Sequence, residues 1–132
     1  MYLITAIFKK NSLDDVLQEL YEREIEGVTV SNVIGKGGLS FIKNKGDIDL
    51  DEKIRVDIVV SNDTFKESAK EAIRVNTQDI EHGSGKIWVT SVLEVERVRT
   101  GEKNELALKK SKVAAHSNLQ KNHYESTDTP VS

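Results

Sequence analysis

Lys53-Ile54-Arg55-Val56-Asp57-Ile58-Val59-Val60 is the stretch on which the fold turns. Ile54, Val56, Ile58 and Val60 alternate with Lys53, Arg55, Asp57 and Val59, the two-residue period of a strand with one buried face and one mostly polar face. Asn62 and Asp63 follow at once. Either suits the cap of a helix that carries Phe65, Ala69, Ala72 and Ile73 toward a core and fades around Asn76.

Upstream, residues 2–9 are apolar and β-branched enough for a buried strand. Ser12, with Asp15 three residues on, is expected to cap a helix through Leu13, Val16, Leu17, Leu20 and Tyr21, and Gly27 to break its pattern. Val28 to Ile34 has strand composition and is punctuated by Gly35, Gly37 and Gly38. Downstream, residues 86–93 read as the last long strand, continued by a shorter piece through Val95 and Val98. Strand, helix, strand, strand, helix, strand predicts an α+β ferredoxin-like βαββαβ domain, an antiparallel sheet with both helices on one face. That architecture serves many functions, so it assigns none by itself.

The chain has 132 residues, enough for one domain over residues 1–108 and a remainder. From Lys109 to Ser132 large apolar side chains are too few to offset the entropy of ordering, which predicts a mostly disordered tail. Net charge is −3 with a pI near 5.7, giving no global basic field for nucleic acid. The absence of cysteine excludes disulfides, zinc thiolate sites and thiol nucleophiles. The N-terminal apolar run is too short to span a membrane and lacks the marks of a signal peptide, so a cytoplasmic protein is expected.

Two pieces carry chemistry: Gly83-Ser84-Gly85-Lys86-Ile87-Trp88-Val89, and Arg97-Val98-Arg99-Thr100-Gly101-Glu102. Glycines let backbone N–H groups approach phosphate oxygens, Lys86 adds a point charge, and the planar guanidinium groups of Arg97 and Arg99 suit bidentate contact with phosphate. The first piece is not a Walker A loop, because Ile80 stands at the first glycine position and Ile87 follows the lysine. The bland alternatives are a tight turn with a solvated lysine, and surface ion pairs of Arg97 and Arg99 with Glu94 or Glu96. His82 is read as an exposed loop residue, and Trp88 as packing against a neighbouring strand or subunit. Asp47, Asp49, Asp51 and Glu52 lack the order of a calcium loop, and His116 and His123 have poor metal spacing. No metal site and no catalytic residue is singled out.

Together these pieces resemble the PII signal-transduction proteins, as do Leu3-Ile4-Thr5-Ala6-Ile7, Leu13-Asp14-Asp15-Val16, Gly27-Val28-Thr29-Val30 and Val33-Ile34-Gly35-Lys36-Gly37. The resemblance covers residues 1–37 and 53–108. It implies a homotrimer that binds ATP, ADP or AMP between subunits and controls a membrane transporter or a metabolic enzyme of nitrogen or inorganic-carbon metabolism. Gly83, Gly85 and Lys86 match the family's phosphate loop, and Arg97 and Arg99 match arginines that reach the phosphates across a subunit boundary. Ile7, Gly27, Thr29, Gly35, Gly37 and Val59 match positions around the purine, ribose and phosphates. Asp57 stands where the family usually has glutamate, one methylene longer.

The family's long T-loop corresponds to residues 38–52, about five residues shorter than usual. This segment has no tyrosine to be uridylylated, and Ser40 is its one hydroxyl residue. Leu39 replaces the glutamine that helps bind Mg²⁺ and 2-oxoglutarate; a leucine has no oxygen to coordinate with, so Mg²⁺-dependent 2-oxoglutarate uptake is predicted to be weak or absent although Lys53 is retained. Leu39, Ser40, Phe41 and Ile42 form either a partner-binding tip or a short hairpin packed on its own domain. Through this loop a transporter would recruit the protein to the membrane without insertion. Two other functions remain open on the residues alone, a slow nucleotide phosphohydrolase and a ferredoxin-like module sensing another small ligand.

Overall fold

The computed structural model describes residues 1–36, 50–78 and 85–109. The chain runs through β1 (Tyr2–Phe8), α1 (Leu13–Glu22), β2 (Val28–Gly35), β3 (Asp51–Val60), α2 (Asp63–Thr77), β4 (Lys86–Ser91) and a short α3 (Glu105–Leu108). The four strands form one sheet in the order β2-β3-β1-β4, and every neighbouring pair is antiparallel. This is the expected ferredoxin-like α+β arrangement. None of the described helices is long and apolar enough to cross a membrane.

Residues directly opposite in an antiparallel pair share a face. Ala6 stands between Val56 and Ile87, and Ile4 between Ile58 and Val89. With Phe8, Ile54 and Val60 they make the apolar face that the helices cover, except Val89 on the edge strand, which is 37% exposed. From α1, Val16 and Leu20 reach this core, and from α2 come Ala69, Ala72 and Ile73. Each fully buried large apolar side chain contributes roughly 1.5–3 kcal/mol. Phe65, expected to point to the core, is 37% exposed at the start of α2. Its backbone N–H is instead the donor in the helix cap, accepted by Asn62 Oδ1 at 2.9 Å. Nearby, Lys66 lies 4.7 Å above the Tyr2 ring and 3.3 Å from Asp63, tying the first turn of α2 to the start of β1.

Both ends of α1 differ from the expected signals. Ser12 makes no side-chain cap hydrogen bond, because the chain enters α1 through a 3₁₀ turn over Lys10–Ser12. Ser12 N–H already bonds Lys9 O and Leu13 N–H bonds Lys10 O, and Ser12 has helical rather than extended dihedrals, which excludes cap geometry. At the other end the break falls at Glu24, not Gly27. Glu24 has φ +64°, and the N–H groups of Glu24 and Ile25 return to the carbonyls of Tyr21 and Leu20, each at 2.9 Å. This is a Schellman-type stop whose apolar residue, Ile25, is buried with Leu20 in the core.

After β4 the expected strand through Val95 and Val98 is replaced by a turn. Its base is the isolated bridge between Glu96 and Lys103, and Val98 is fully exposed at its tip. The tail beyond Lys109, the loop residues 37–49 and residues 79–84 lie outside the described residues, and with them the readings of His82, His116, His123, Asp47 and Asp49.

Candidate functional site

The sheet face away from the helices carries two rows of side chains set by the register. One row is Thr29, Asp57, Thr5 and Trp88; the next is Ser31, Arg55, Ile7 and Lys86. Val59 follows Asp57 on the same face of β3, opposite Leu3. Of the residues singled out in the sequence, the fold therefore places Ile7, Thr29, Asp57, Val59 and Lys86 on one surface drawn from all four strands. Trp88 is on this face opposite Thr5, still 41% exposed.

Asp57 is the most constrained polar group there. Its Oδ1 accepts from the buried Thr5 hydroxyl at 2.8 Å and from Arg55 Nη2 at 3.3 Å, and its Oδ2 accepts from Arg55 Nε at 3.0 Å. Partial burial pushes the Asp57 carboxyl up, but the Arg55 hydrogen bonds, the Thr5 hydroxyl and the Arg55 charge together outweigh it. The carboxyl is held below the ordinary aspartate value. Thr5 and Arg55 were not singled out from sequence. The signal for Arg55 was nevertheless present, since residues two apart in a strand share a face. Thr5 required the register between β1 and β3.

Gly85 leads into Lys86 with φ +112°, a conformation L side chains rarely adopt. It brings the backbone against Ile7 and Phe8. A cleft of about 220 Å³ lies here between the end of β1, the last turn of α2 and the start of β4. Ile7, Ile73, Arg74, Thr77, Gly85 and Lys86 are among its lining residues, which sets two cations at its rim. Gly83 lies outside the described residues, as do Gly37, Leu39, Ser40, Phe41 and Ile42. At the base of the loop Lys36 Nζ is 3.8 Å from Asp51 Oδ2.

The remaining candidates are not brought to this cluster within one chain. Gly27 precedes β2 and Gly35 ends it, so the strand's rise separates them by roughly 25 Å. Lys86 opens β4, whereas Arg97 and Arg99 lie in the turn beyond its other end. Arg97 does not pair with Glu94 or Glu96: its Nε is 3.0 Å from Glu102 Oε1, while Glu94 faces Lys103 at 3.4 Å. Thr100 Oγ1 donates to the same Glu102 oxygen at 3.1 Å. The turn from Arg97 to Glu102 brings these partners together, through Arg97 N–H to Glu102 O and Gly101 N–H to Arg97 O, both 2.8 Å. Among the described residues no group of three or more His, Asp or Glu side chains is placed to hold a metal ion.

Chemically, the open face offers a lysine beside a backbone loop at one end and an ionised carboxylate in the middle. These suit an anion and an amino-bearing ring respectively. Residues 1–102 match the family described as Nitrogen regulatory protein P-II. The chain is 38% identical over 107 residues to Nitrogen regulatory protein P-II 1 of Methanothermobacter thermautotrophicus, covering 77% of this chain and 92% of that protein. It is 37% identical over 113 residues to Nitrogen regulatory protein P-II of Azospirillum brasilense, covering 78% and 96%. For the protein of the same name from Klebsiella oxytoca the identity is 36% over 118 residues, covering 82% and 100%.

Proposed function

The chain belongs to the nitrogen regulatory protein P-II family, and on that premise we propose that it is a signal-transduction regulator binding an adenine nucleotide at the boundaries of a homotrimer. The family is named for regulation and not for a catalytic activity. The observation that carries the nucleotide reading is the shared open face of Ile7, Thr29, Asp57, Val59 and Lys86, with Gly85 holding the backbone close behind Lys86.

In this reading Gly85 and Lys86, with Gly83, cradle the phosphates of ATP, ADP or AMP, while Asp57 and Val59 meet the purine. Arg97 and Arg99 complete the phosphate site from a neighbouring subunit. The separation of Gly27 from Gly35, and of Lys86 from Arg97, within one chain supports a site assembled between chains. Mg²⁺ and 2-oxoglutarate are weak or absent co-effectors because Leu39 offers no oxygen ligand.

The segment of residues 38–52, whose last two residues already pair in β3, contacts the target through Leu39, Ser40, Phe41 and Ile42. That target is a transporter or enzyme of nitrogen or inorganic-carbon metabolism, reached from the cytoplasm. Nucleotides switch the loop only if they contact its states differently, so the signal is a population shift. In this reading the signalling domain is residues 1–108. A thermal-shift panel tests this reading: ATP, ADP or AMP raises the melting temperature while free amino acids do not. Stabilisation by an amino acid with none by any adenine nucleotide refutes it, and light scattering reads the trimer independently.

A further inference from the structure

Arg97 is held by its own chain. Its Nη2 donates to the carbonyl of Lys109 at 2.7 Å and to that of Leu106 at 3.3 Å, so its guanidinium closes the C-terminal end of α3. The last carbonyls of a helix have no partner within it, and an arginine is a natural donor to them. The docking is incomplete, however. Nε is at ion-pair distance from Glu102, yet its N–H is not directed at that oxygen, and this buried donor has no hydrogen-bond partner among the described residues.

A guanidinium with two neutral carbonyl acceptors and a carboxylate, Glu102, that its Nε–H does not point at is better matched by a phosphate, which offers two charged oxygens to the same planar fork. With both Nη2 N–H groups taken by the Leu106 and Lys109 carbonyls, the forks that pair Nη2 with Nε or Nη1 cannot bind a phosphate through two oxygens at the same time. The segment that would be displaced is small and hinged. Asn104, at φ +56°, separates α3 from the preceding turn, which is closed on its own by Asn104 N–H to Val95 O at 2.7 Å and Val95 N–H to Asn104 Oδ1 at 3.2 Å. Leu106 is 55% exposed, and none of α3 is buried in the core.

We propose that a nucleotide phosphate and the docked α3 compete for the Arg97 guanidinium, so that residues 105–109 act as an autoinhibitory contact released by nucleotide binding. This rests on the nucleotide reading above, including the role of Arg97 at the phosphates. Docking lowers the apparent affinity by the fraction of chains in which Arg97 is free, and binding correspondingly empties the docked state.

The test uses Ala107→Pro in the full chain. Proline removes the Ala107 N–H bond to Asn104 O and disfavours the helical conformation at Leu106, while leaving the turn from Val95 to Asn104 intact. Calorimetry with ATP is expected to show tighter binding by Ala107→Pro than by wild type, by about tenfold if nine chains in ten are docked. In an Arg97→Ala background, itself weaker for ATP, Ala107→Pro should make no further difference. Amide exchange at Leu106, Ala107 and Leu108 should be faster in the ATP-saturated wild type than without nucleotide. If the wild type binds ATP but Ala107→Pro leaves the affinity unchanged, or if its gain persists without Arg97, competition is refuted and the nucleotide reading stands. If the wild type takes up no ATP, ADP or AMP, both fall.

Discussion

The carbonyl oxygen of Ile7 occupies the space that a β-carbon on Gly85 would need, and Gly85 itself sits at φ +112°. The end of β1 and the start of β4 are therefore pressed together at the point where Lys86 enters the open face. Any side chain at residue 85 must push the backbone away. Gly85→Ala is expected to lose about 1–3 kcal/mol of stability. Denaturant unfolding measures this, and an unchanged midpoint would show that the two strand ends have room to separate.

The pair of Arg55 and Asp57 predicts a pH dependence. The folded-state pKa of Asp57 lies below its unfolded value, so its contribution to stability is fully present above the unfolded aspartate pKa of about 3.9 and is lost as pH falls through the folded value. Asp57→Asn should flatten the acid limb of the stability profile. A limb of unchanged slope would assign the acid sensitivity elsewhere.

Thr5 is fully buried and donates to the same carboxylate, so its hydroxyl matters more than its shape. Thr5→Val keeps the volume but removes a donor to a charged group, and is expected to cost about 1–3 kcal/mol at neutral pH. It should also raise the Asp57 pKa, which carboxyl titration by NMR reads directly. A full-strength acid limb at its original pH in this variant would contradict the assigned hydrogen bond.

The two helix entries predict losses of different size for similar substitutions. Asn62→Ala removes the cap accepted from Phe65 N–H and should cost about 1 kcal/mol. Ser12→Ala should cost much less, since Ser12 makes no side-chain cap hydrogen bond. Equal losses in thermal unfolding would mean that the 3₁₀ entry does not replace a cap.

These contrasts mark what was legible in the chain. The alternation from Lys53 to Val60 gave the face division of the sheet, because strand periodicity is local and strong. Asn62 and Asp63 were both readable as caps from residue type, and the structure gives the role to Asn62. Ser12 carried the same type of signal and misled, since the preceding 3₁₀ turn gives it helical dihedrals in place of the extended ones a cap needs. The stop at Glu24 was hidden because glutamate is not a usual left-handed residue and the buried Ile25 stabilises the turn from outside the helix. For the site, the motif residues were readable one by one, but Thr5 beneath Asp57 and Arg97 against α3 depend on contacts 52 and 12 residues apart in sequence. No local pattern records such contacts.

Lys86 and its neighbours on the open face are proposed to bind an adenine nucleotide. The most direct measurement is a calorimetric titration of wild type and Lys86→Ala with ATP. Lys86 is exposed, so its removal should leave the fold intact. Saturable uptake by the wild type is expected, with binding weaker by about tenfold or more in Lys86→Ala and the melting temperature of the ligand-free variant unchanged. No uptake by the wild type, or equal affinities in the two proteins, would contradict it.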